Sequence, residues 1–131
     1  MDQPETKAPE APPAESALAA KEAAAAKLQV MLAQIWRTNE PALMERIGAI
    51  RAAEANLREG SLDETTRAAA RNAAHKLAGI LGTFGLAQGT VLARQAEQLL
   101  DPPPGPEQAP ALAAILEELI ALVEAKTAEV G

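Results

Sequence analysis

The 131-residue sequence has no cysteine, no tyrosine, one phenylalanine, one tryptophan and a single histidine. Without thiols it can form neither disulfides nor thiolate metal sites, and one imidazole is too few for a histidine-based zinc site. Aromatic residues make up 2% of the chain and β-branched residues are sparse, so the sheet formers are scarce. No apolar run approaches the ~18 residues of a membrane span. The opening Met1-Asp2-Gln3-Pro4-Glu5 lacks the basic and apolar regions of a secretory signal, which makes a cytoplasmic protein the expectation. Basic charge is also short: 12 Lys and Arg against 18 Asp and Glu give a formal net charge of −6. Nucleic acid rewards a basic surface through counterion release and anionic membranes reward one too, so neither is an expected partner.

Hydrophobic residues make up 48% of the chain, and much of that share is alanine. Such a composition favours helix strongly and builds a thin, closely packed core in one small domain. Residues 1–14 (MDQPETKAPEAPPA) are rich in Pro, Glu and Ala without apolar periodicity and read as a disordered tail or linker. The remainder, 15–131, reads as a helical bundle domain.

Five helices are predicted. The first runs from about Ser16 to Arg37, with Leu28, Leu32 and Ile35 at core spacing. Asn39 can cap the second and Pro41 suits its first turn; Leu43, Ile47, Ile50 and Leu57 form its stripe and Gly60 ends it. Ser61 with Glu64 three residues later makes a capping-box pattern opening the third, which stops at Gly85. The fourth spans about Leu86 to Leu100 through Leu92, Ala96 and Leu99. After the break Asp101-Pro102-Pro103-Pro104-Gly105-Pro106, the last covers about Glu107 to Glu129, with Leu112, Ile115, Leu116, Leu119 and Val123 inward. Short links imply antiparallel neighbours. The expected fold is therefore all-α: an antiparallel up-down four-helix bundle with an additional N-terminal helix, Trp36 covering one end.

The single histidine, His75, stands out within this layout. At ~100° per residue, Leu62, Thr66, Ala70, Ala73, Leu77, Ile80 and Phe84 share one side of the third helix, and His75 points nearly opposite. Within about 60° of it lie Ala68, Arg71, Asn72, Ala78, Gly79 and Gly82. Each mid-helix glycine costs about 0.8–1 kcal/mol relative to alanine. Gly79, one turn beyond His75, and Gly82, two turns beyond, would clear room above the ring. An imidazole ringed by small residues is open to close approach.

This segment resembles the signature of the histidine-containing phosphotransfer (HPt) domain, a helical module of two-component phosphorelays. His75, Leu77, Gly79 and Gly85 match its pattern, with Ala73-Ala74 and Leu86 fitting beside them. One departure is clear: many members carry Lys three residues after the histidine, where this chain has Ala78. A cation stands instead at Lys76.

The resemblance implies a phosphoryl carrier rather than an enzyme acting alone. His75 would accept a phosphoryl group from an aspartate of a response-regulator receiver domain and pass it to another receiver. Neutral imidazole is a competent nucleophile, and in-line attack needs free approach. The receiver would supply the acidic pocket and Mg²⁺, so this chain is expected to hold no cofactor or metal. A hybrid histidine kinase is a further candidate partner, and the chain is expected to act as a monomer. Lys76 and Arg71 are the candidate phosphate-stabilising residues, although Arg71 could instead pair with Glu64 or Asp63. Asn72, Ala78, Gly79, Gly82 and Leu86 are the candidate docking residues.

Two other readings stand beside this one. A degenerate HPt-like bundle would bind a receiver or another protein without phosphorylation, as the missing Lys at position 78 suggests. A plain dimerisation domain would use Gly79 and Gly82 for close helix contact. An autokinase lacks a Gly-rich nucleotide segment, and no Ser-His-Asp or paired-carboxylate arrangement points to a hydrolase.

Overall fold

A computed structural model describes residues 14–131. The tail expected at 1–14 lies outside the described residues except for Ala14, where a helix already begins. Among the described residues there are four α-helices and no strand: α1 (Ala14–Arg58), α2 (Glu64–Thr83), α3 (Ala87–Leu100) and α4 (Ala109–Val130), with a single 3₁₀ turn, Pro106–Gln108, leading into α4. None of these helices is long and apolar enough to cross a membrane. The chain divides into two units, Met1–Leu32 and Ala33–Gly131.

In the first unit the described residues are wholly helical, as their alanine content favours. Leu28 and Leu32, expected inward, are 55% and 43% exposed. Ile35, in the second unit, is also exposed.

The second unit is the bundle, and its first correction concerns the helix count. The helices expected to part at Asn39-Glu40-Pro41 are one helix, α1, with Pro41 inside it. Asn39 does not cap a new helix; its Nδ2 donates back to the Ile35 carbonyl at 2.8 Å, as Thr38 Oγ1 donates to the Gln34 carbonyl at 3.0 Å. An interior proline costs ~3 kcal/mol. Against that stands one unbroken buried stripe running through it: Trp36, Leu43, Ile47, Ile50, Ala53 and Leu57. Burial of each large member contributes about 1.5–3 kcal/mol, so continuity wins.

Helix ends follow local chemistry. Gly60 and Gly85 both adopt positive φ, 73° and 75°, the left-handed conformation that glycine enters without steric cost. The amides just beyond them turn back, Ser61 N to Asn56 O at 2.8 Å and Leu86 N to Leu81 O at 2.9 Å, which closes α1 and α2. The cap of α2 is Asp63, whose carboxylate accepts from Thr66 N at 2.7 Å. Ser61 does not serve as the cap, because its backbone is already committed to ending α1.

The core joins all four helices. Trp36 is fully buried, packs edge-on against Phe84 with ring centroids 5.0 Å apart, and donates its indole N–H to Thr127 Oγ1 at 3.0 Å. Thr127 Oγ1 donates in turn to Glu40 Oε2 at 3.1 Å. These contacts tie the Trp36 turn of α1 to the end of α2 and the end of α4. On α4, Leu112, Leu116, Leu119 and Val123 are buried as expected, with Ile115 half-buried.

Candidate functional site

The site is a product of how α2 and α3 meet. They run antiparallel and are clipped together along their length. At one end Arg67 Nη1 donates to the carbonyls of Leu100 and Asp101, at 2.6 and 2.8 Å, placing a cation on the carbonyl end of α3. The same guanidinium grips Glu64 through Nε and Nη2, at 2.9 and 2.6 Å. The pair lowers the Glu64 pKa and raises that of Arg67. At the other end Gly89 lies so close to α2 that a Cβ there would stand 2.9 Å from Leu81 Cδ1. Between them Thr90 Oγ1 donates to the Ala78 carbonyl at 2.9 Å.

Close approach on that side buries Ala74, Ala78 and Leu81 together with Ala70, Ala73 and Leu77. The buried face of α2 is therefore turned toward α3, while Leu62, Thr66, Ile80 and Phe84 are only half-buried. His75 does not stand at the outward pole of the helix. It stands at the edge of the α2–α3 seam, with its side chain 70% exposed.

Across the seam Glu97 Oε2 lies 3.0 Å from His75 Nδ1. A carboxylate only accepts, so the bond requires the Nδ1–H tautomer or the imidazolium. In the neutral tautomer, Nε2 carries the free lone pair. Around the pair is a surface groove of about 370 Å³ lined by Arg71, His75, Ala78 and Gly79 from α2 and Arg94, Glu97, Gln98 and Asp101 from α3.

Four of the sequence-predicted site residues meet in this groove: His75, Arg71, Ala78 and Gly79. Arg71 pairs with neither Glu64 nor Asp63; its Nε donates to Asp101 Oδ1 at 2.6 Å. Ala78 is 5% exposed, so it contributes to the groove floor rather than to an outer face. Gly79 is exposed, and nothing lies within 4 Å of where its Cβ would be. The space above it is open.

The other four do not line the groove. Gly82 has an internal reason to be glycine, since a Cβ would stand 3.2 Å from Thr90 Oγ1. Leu86 is half-buried against the core at the start of α3. Lys76 and Asn72 are exposed on α2. The α3 wall was missed, yet Arg94, Glu97, Gln98 and Asp101 fall at spacings of three and four, a polar stripe on one helix face.

The family model of the Hpt domain matches residues 34–126, nearly the whole of the second unit. The chain belongs to the Hpt domain family. No curated protein and no solved structure matches it. Hpt domains are histidine phosphotransfer modules of two-component phosphorelays that interact with receiver domains of response regulators and carry phosphoryl groups rather than acting as enzymes in the usual sense. The matched span includes all of α2 and α3, and with them this groove.

Proposed function

We propose that this Hpt domain carries a phosphoryl group on Nε2 of His75, taking it from the aspartyl phosphate of one receiver domain and giving it to the aspartate of another. The observation that carries the reading is the exposed imidazole whose Nδ1 is held 3.0 Å from Glu97. The hydrogen bond fixes the ring and selects the tautomer, so the lone pair of Nε2 faces outward. In transfer that pair forms the N–P bond as the aspartyl O–P bond breaks, and the bonding electrons leave on the receiver's carboxylate. The proton on Nδ1 stays between imidazolium and Glu97, whose negative charge offsets the positive charge developing on the ring. Return transfer reverses the same steps.

Nothing in this mechanism calls for a metal on the Hpt chain; the Mg²⁺ belongs to the receiver. Docking would place the receiver over Gly79, where the open space admits its aspartate in line with Nε2.

The test is incubation of the purified chain and a His75→Ala variant with a panel of phosphorylated receiver domains, read by intact mass. An acid-labile, alkali-stable addition to the native chain and none to the variant supports the carrier reading. No addition with any receiver, in a chain shown by circular dichroism to be folded, would favour a bundle that binds receivers without accepting phosphate.

A further inference from the structure

We propose that Arg94, on α3, is the residue that holds the phosphoryl group on His75; this rests on the carrier reading above. A phosphoryl group brings a charge between about −1.5 and −2 near neutral pH. It would arrive in a groove that already contains two carboxylates, Glu97 and Asp101. A cation must answer it, and the nearby ones differ in what they are free to do.

Arg67 is committed on every side, to Glu64 and to the carbonyls of Leu100 and Asp101. Arg71 lines the groove but is bound to Asp101 Oδ1 at 2.6 Å, so its approach to a phosphoryl group would leave that carboxylate unpaired beside the new charge. Lys76 lies outside the groove, about 100° around α2 from His75. Arg94 is different. It lines the groove, is exposed, and among the described residues makes no ion pair.

Its position is as telling as its freedom. Arg94 is three residues from Glu97, hence on the same face of α3 and one turn away. Since α3 runs antiparallel to α2, that turn leads from the level of His75 toward Gly79. There the absent side chain leaves open space. A guanidinium reaching across from α3 presents a planar fork of N–H donors that matches two phosphoryl oxygens at once, while Glu97 holds the far side of the ring. α3 would then supply both the group that orients the imidazole and the group that binds what it carries.

The experiment labels His75 with phosphoramidate, a small donor that needs no docking surface. The donor's P–N bond breaks as the bond to Nε2 forms, and the nitrogen departs as ammonia. Native chain, Arg94→Gln and Arg94→Lys are compared by intact mass and by ³¹P NMR across pH. Removing the cation should slow labelling roughly tenfold and raise the midpoint of the phosphoryl titration by about one pH unit, with Arg94→Lys in between and melting temperatures unchanged. If His75 is labelled and Arg94→Gln matches the native chain in both rate and midpoint, the assignment of Arg94 is overturned and the carrier reading stands. If the folded native chain takes no label from phosphoramidate or from any receiver, both fall together.

Discussion

His75 Nδ1 and Glu97 Oε2 lie 3.0 Å apart, joined across 22 residues of sequence by the antiparallel pairing of α2 and α3. In a transfer reaction this contact changes character: a neutral imidazole donating to a carboxylate becomes an imidazolium doing so. Hydrogen bonds to charged partners are worth about 1.5–3 kcal/mol. Glu97→Ala is therefore expected to slow phosphoryl uptake by roughly 10–100-fold, with Glu97→Gln retaining part of the effect through its carbonyl oxygen. Labelling time courses with phosphoramidate would measure both variants. Uptake at the native rate in Glu97→Ala would show that the carboxylate does not assist the step.

Gly79 and Gly82 separate stability from access. Nothing surrounds the missing Cβ of Gly79, so Gly79→Ala should stabilise the bundle by about 0.8–1 kcal/mol while slowing transfer from a receiver more than labelling by a small donor. Gly82→Ala should gain less or lose, because its Cβ would crowd Thr90 Oγ1 at 3.2 Å. Thermal melts and transfer rates for the two variants would distinguish the roles. Equal loss of receiver transfer in both would place the docking surface further along α2.

Acid should loosen the start of α2 first. The Thr66 amide bonded to Asp63 holds that carboxyl below its ordinary pKa, and the Arg67 side-chain bond does the same for Glu64. A carboxyl whose pKa is lowered on folding stabilises fully above its unfolded pKa, and the contribution is lost as pH falls through the lowered folded value. The loss is expected below about pH 4. Asp63→Ala should lower the melting temperature at neutral pH and flatten its fall in acid, as measured by circular dichroism from pH 7 to 2. An acid profile identical to the native one would remove Asp63 from the account.

Thr127 carries a load out of proportion to its size. It accepts from the buried Trp36 indole and donates to Glu40. Thr127→Val keeps the shape and orphans a buried N–H, at a cost of about 1–3 kcal/mol, or a fall in melting temperature of about 4–8 °C per kcal/mol for a unit of this size. Trp36 is the only tryptophan in the chain, so its fluorescence reports the melt directly.

Where periodicity alone decided the structure, the sequence was legible. The stripe of α4, the stops at Gly60 and Gly85, and the exposure of His75 follow from helical spacing and from what glycine can do; the buried face of α2 is turned from the expected one toward α3, taking in Ala74, Ala78 and Leu81. The failures arose where two local rules competed. Pro41 and Asn39 read as the start of a helix, but an apolar stripe from Trp36 to Leu57 carries α1 through them. Ser61 read as a cap, but its backbone closes α1 and leaves the cap to Asp63. The groove was legible only by half. Arg94, Glu97, Gln98 and Asp101 form a visible polar stripe, yet only the register that sets Glu97 against His75 shows that the stripe faces the histidine. Gly82, a candidate docking residue from the sequence, is exposed and also lies close to Thr90, a neighbour that only the register of α3 reveals.

The proposed carrier atom is Nε2 of His75, with Nδ1 held by Glu97. Chain labelled with ¹⁵N at histidine and phosphorylated by a receiver would give the answer in a single long-range ¹H–¹⁵N correlation spectrum with ³¹P coupling. The expected spectrum has phosphorus coupled to Nε2 and a proton retained on Nδ1. Phosphorus on Nδ1, or an unmodified imidazole in folded chain exposed to competent receivers, would contradict it.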